Sequence, residues 1–137
     1  MNRALSFGVV AVALAIIVAG CEGGSSLAPE PCNGNVEVTV LPVGQPVFAW
    51  SPDCGMSSVA VATVPSTPGA AGTVVWGFTV PENSPVGPGV VYGAAPARAS
   101  VWTPPVPLEA GTTYRVSVAQ TVGGDVLVAS GDAVFNR

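Results

Sequence analysis

An all-β, antiparallel sandwich is the fold class predicted for this chain, and three observations predict it. Short runs alternate apolar and polar residues with period two, as in Val36-Glu-Val-Thr-Val40 and Tyr114-Arg-Val-Ser-Val118. Clusters of Pro, Gly and Ser separate them, drawn from 17 Gly and 14 Pro in 137 residues. Beyond the apolar N-terminus no helical period survives. That length suits one domain. The mean hydropathy of +0.57 is membrane-like, but it is concentrated in the first twenty residues.

Those residues have the anatomy of a cleaved signal helix. Met1-Asn2-Arg3 is a short positive segment, and Ala4 to Ala19 is almost unbroken apolar sequence. The run is shorter than the ~20 residues that span a bilayer, which favours a signal over a membrane anchor. It ends in Val18-Ala19-Gly20-Cys21, which resembles the lipobox of bacterial lipoproteins. The resemblance implies cleavage before Cys21, a diacylglycerol thioether on its sulfur, and membrane attachment through acyl chains. An uncleaved anchor with an incidental Cys is the alternative. Glu22, where many inner-membrane lipoproteins carry Asp, favours the outer membrane if the host is Gram-negative. Residues 1–20 are thus expected to be signal, 21–34 the lipid-bearing Cys and a flexible tether, and 35–137 the folded domain.

Three Cys is an odd count. Assigning Cys21 to lipid leaves Cys32 and Cys54, and export to an oxidising compartment predicts a disulfide between them. The local pattern agrees. Val36 to Val40 and Val47 to Ser51 alternate around Leu41-Pro-Val-Gly-Gln-Pro46. A hairpin centred near Val43 sets Val38 opposite Phe48, Val36 opposite Trp50, and Cys32 opposite Cys54, all on one face.

The remaining strands follow the same grammar. Ser57 to Val64 is closed by Pro65, and Thr73 to Val80 places Val74, Trp76, Phe78 and Val80 on one face. Val90 to Tyr92 is short, and Ala97 to Thr103 ends against Pro104-Pro-Val-Pro107, which cannot donate to a ladder. Thr112 to Val122 points Tyr114, Val116 and Val118 inward. Gly123-Gly-Asp125 turns the chain into Val126 to Phe135. Seven or eight such strands make a sandwich.

Leu108-Glu-Ala-Gly-Thr-Thr-Tyr114-Arg-Val-Ser-Val118 resembles the E–F corner of fibronectin type III domains, with Ala110 where that family usually has Pro. Trp50, before Ser51-Pro52, is similar to its early-strand core Trp. The resemblance implies that Tyr114 is a tyrosine-corner residue, with Leu108 beside it and its hydroxyl returning to upstream backbone. The disulfide and the Pro-rich stretch depart from that family, so another immunoglobulin-like subtype stays open. The likeness implies no activity.

Composition excludes more function classes than it suggests. Four Arg, no Lys and eight carboxylates leave no basic patch, so nucleic acid is not an expected partner. No His removes the commonest general base and metal ligand. No serine has a G-x-S-x-G setting, and the acids fall singly in turns and on exposed faces. No enzymatic activity, cofactor or metal is expected. The candidate contact surface is Trp102, whose period-two neighbours Ser100 and Arg98 are polar, with Tyr92 second and Arg98 stacked on the indole. The expected function is a non-catalytic, lipid-anchored module of the cell envelope, structural or protein-binding. The alternative is a lipoprotein that binds carbohydrate or another small ligand near Trp102.

Overall fold

The computed structural model describes residues 28–137; the signal, the lipobox and Cys21 with the first half of the tether lie outside the described residues. The described chain is all-β. Its strands are β1 Gly34–Asn35, β2 Glu37–Leu41, β3 Val47–Ser51, β4 Ser58–Thr63 and β5 Val74–Thr79. They continue with β6 Val90–Val91, β7 Ser100–Thr103, β8 Thr113–Val122 and β9 Val126–Asn136. One sheet has the order β1-β9-β8-β4-β5-β7, and the other β2-β3-β6. All neighbours are antiparallel except β1 with β9.

The two sheets pack face to face over a core set by strand alternation. Val59 and Val61 of β4, Trp76 and Phe78 of β5, and Val116 and Val118 of β8 are buried on one side. Phe48 and Trp50 of β3 meet them from the other. Phe48 lies 6.5 Å from Trp76 and 5.7 Å from Phe135, ring centre to ring centre, so it bridges the layers. Val is abundant because a β-branched side chain fits a pleated, half-buried surface.

Several expectations shift in register. In the β2–β3 hairpin Val38 faces Trp50 and Val40 faces Phe48, two residues away from the predicted pairing. Gly44 takes the positive φ of the turn, which centres the hairpin there instead of on Val43. A shift of two keeps every side chain on its face, so Phe48 and Trp50 stay buried. The cysteines pair, but outside this ladder. Cys32 precedes β1, which leaves the hairpin to run parallel to β9 at Gly34↔Ala129 and Asn35↔Ser130. The Cys32–Cys54 bond spans 22 residues, and Cys32 N–H donates to the Gly55 carbonyl at 2.8 Å.

Val74 is not on the core face. The β4–β5 register slips between Val61 and Ala62, so Val74 pairs with Ala62 and is 37% exposed, while Val75 packs inward. The strand expected over Ala97 to Thr103 begins only at Ser100, because Ala99 N–H closes a turn onto the Pro96 carbonyl. The chain also engages the fold ahead of residue 35. Gly55 N–H donates to the Glu30 carbonyl at 2.6 Å, and Pro31 bridges to Gly55.

Candidate functional site

Trp102, the first residue expected on a contact surface, is exposed. It sits on edge strand β7, where the register with β5 slips between Gly77 and Phe78. Trp76 and Phe78 point into the core, so Gly77 faces outward, and the indole lies flat against it. A Cβ on Gly77 would fall 2.3 Å from the Trp102 Cζ2 atom, a distance that only glycine permits. Gly77 is buried beneath the ring, and Trp102 keeps 50% of its surface exposed. Across the sheet the same row runs through Ala60 and Ser117 to Asp132. The indole therefore borders a shelf of small side chains. At its far side Arg115 Nε lies 3.6 Å from Asp132 Oδ2, with both side chains more than half exposed.

The other two members of the expected surface are elsewhere. Tyr92 belongs to the core, 5% exposed, with its ring edge against Trp76 at 5.2 Å. Its hydroxyl donates to the Val106 carbonyl at 2.7 Å and approaches that of Val75 at 3.3 Å. Burial raises its pKa above the usual tyrosine value, because the phenolate would lose its hydration. Tyr92 follows the two-residue strand β6, which is too short to show a period from which its inward face could be read. Arg98 is exposed, but its guanidinium donates to Ser84 Oγ at 3.2 Å. That bond directs it to the Pro81 to Gly89 loop, away from the stacking partnership expected with Trp102.

At the corner before β8, Tyr114 is 2% exposed, and its hydroxyl accepts the Glu109 N–H at 2.9 Å. Leu108 packs against the core beside it, and Phe135 stacks on the Tyr114 ring at 5.7 Å. This ties the β7–β8 crossover to the sandwich.

Two open clefts lie where the sequence offered no signal. One, about 630 Å³, is lined by Gln45, Val91, Gly93, Pro105, Pro107 and Arg137. The other, about 410 Å³, lies in the lateral seam between β2 and β9, with Val38, Val40 and Phe135 on its walls. Arg137 borders both, and its guanidinium donates to the Gly44 carbonyl at 2.5 Å. Among the described residues no group of three or more His, Cys, Asp or Glu could hold a metal ion. No known protein family, curated protein or solved structure matches the chain.

Proposed function

We propose that the chain is a bacterial cell-envelope lipoprotein whose sandwich, on the fibronectin type III plan, is a non-catalytic interaction module. The lipid on Cys21 is its link to the membrane. The observation that carries this reading is Val18-Ala19-Gly20-Cys21 directly behind an apolar run that opens with Arg3. The cysteine pairing supports it: Cys32 and Cys54 are joined, which leaves Cys21 as the odd thiol to be accounted for. A disulfide also suits an exported protein. The Tyr114–Glu109 bond supports the fibronectin-like plan. With three Arg against eight carboxylates after residue 20, electrostatic adhesion to anionic lipid is weak, so acyl chains do the anchoring. In a Gram-negative host, Glu22 directs the protein to the outer membrane.

Metabolic labelling with palmitate tests the reading. The wild type should take up label and fractionate with membranes, and Cys21→Ser should do neither. A wild type without label would overturn it. The half-exposed Trp102 on its flat shelf favours a second reading, in which the module binds a flat ligand such as a sugar ring. Titration with envelope glycans should then shift Trp102 emission, and Trp102→Ala should abolish the response.

A further inference from the structure

The strand registers place two features at one end of the sandwich. Ser58 pairs with Thr79 and with Ala119, and Ala119 pairs with Ser130. From that row β8 and β9 continue outward to their turn at Gly123-Gly124. The chain joins the fold at the same end. Glu30 and Pro31 lie on Gly55, Met56 bridges Val86, and Ser57 N–H reaches the Ala119 carbonyl at 2.9 Å. The opposite end carries the Gly44 turn and Arg137.

The hairpin projects about four residues beyond the Ala119 row, about 13 Å at the usual strand rise. It stands clear of the smaller sheet, and all of residues 122–127 are exposed. Its side chains are nonetheless apolar. Val126 is 61% exposed, Leu127 58% and Val122 40%, with Asp125 the single charge among them. From Cys21 to Ala28 is seven residues, which span at most about 25 Å fully extended. A chain held by lipid at Cys21 therefore keeps this end, with the hairpin on it, within reach of the bilayer.

We propose that the β8–β9 tip, Val122 to Leu127, docks into the interfacial layer of the membrane that holds Cys21. The proposal rests on the lipid-anchor reading. Docking orients the domain, so that the Gly44 turn, Arg137 and the 630 Å³ cleft face away from the bilayer. Three apolar side chains enter the acyl boundary, while Glu82, whose Oε1 accepts the Gly124 N–H at 3.1 Å, steadies the turn at the level of the headgroups. Glu30, Asp53, Glu82 and Asp125 lie on this end against Arg98. The contact is therefore hydrophobic, and it favours zwitterionic over anionic headgroups.

Depth-dependent quenching tests the proposal on the full lipidated protein, extracted from membranes and reconstituted into phosphatidylcholine vesicles with brominated acyl chains. Trp102→Phe removes the exposed indole, and Trp50 and Trp76 are buried and give a constant background. In that setting Leu127→Trp should emit to the blue and lose most of its emission to bromolipid. Val43→Trp, on the opposite turn at a site 62% exposed, should keep its emission. Retention of the oxidised disulfide and cooperative unfolding confirms that each variant folds. If the protein floats with the vesicles but the Leu127→Trp indole is not quenched, or the Val43→Trp indole is quenched equally, hairpin docking is overturned and the anchor stands. If the protein neither incorporates palmitate nor floats, both readings fall.

Discussion

Reducing the Cys32–Cys54 bond, with the sequence left intact, isolates what the cross-link contributes. The bond closes 22 residues of chain, and the loop-entropy relation for that length gives about 3 kcal/mol at 25 °C. The loop contains β2 and β3, whose ladder runs from Glu37↔Ser51 to Leu41↔Val47. The native state therefore keeps the hairpin when the bond is cut, and the effect falls on the unfolded chain. For a domain of the size described here, each kcal/mol moves Tm by about 4 °C, so the reduced protein should melt about 12 °C lower. The comparison is thermal unfolding followed by circular dichroism, on protein refolded with and without reductant. A reduced form melting within about 3 °C of the oxidised one would refute the reasoning. Cys32→Ala with Cys54→Ala should fall further, by about 1–2 kcal/mol, because two buried sulfurs are lost as well.

Raising the pH should destabilise the fold through Tyr92. Its folded pKa is raised by burial, so the unfolded chain loses this proton first; stability is full below pH 10.0 and falls as pH climbs through the folded value. Tyr92→Phe should remove that alkaline loss from urea titrations run between neutral and strongly basic pH. Tyr114→Phe strands the Glu109 N–H and should lower stability by about 1–2 kcal/mol at an unchanged denaturant slope. Gly77→Ala drives a methyl into the Trp102 ring; the indole should swing into solvent, with red-shifted emission and a loss of about 1–2 kcal/mol. Asp132→Asn, at an exposed ion pair, should change stability by less than about 0.5 kcal/mol in the same assay.

The core and the surface of the domain differ in what they offer. The inward faces of β3, β4, β5 and β8 are filled by Phe48, Trp50, Trp76 and the valines, and no titratable cluster interrupts them. What the surface offers is a half-covered indole, two open clefts sharing Arg137, and a bare apolar hairpin.

By itself the sequence determined the fold class, most strands and their inward faces. Period-two alternation is a local property, and burial on one face selects it in every strand long enough to show it. Tyr114, Val116 and Val118 were legible for that reason, whereas the pairing of Cys32 with Cys54 followed from setting Cys21 aside as the odd cysteine and not from the hairpin register. Tertiary structure decided whatever depended on a neighbour distant in the chain. Strand β1 exists because β9 offers an edge to two residues with no pattern of their own, Gly34 and Asn35. The bulge opposite Ala62 turned Val74 outward, and the sheet order brought Gly77 beneath Trp102. Tyr92 went inside because a space beside Trp76 could take its ring and two carbonyls could meet its hydroxyl. A two-residue strand encodes no face, so only packing could choose it.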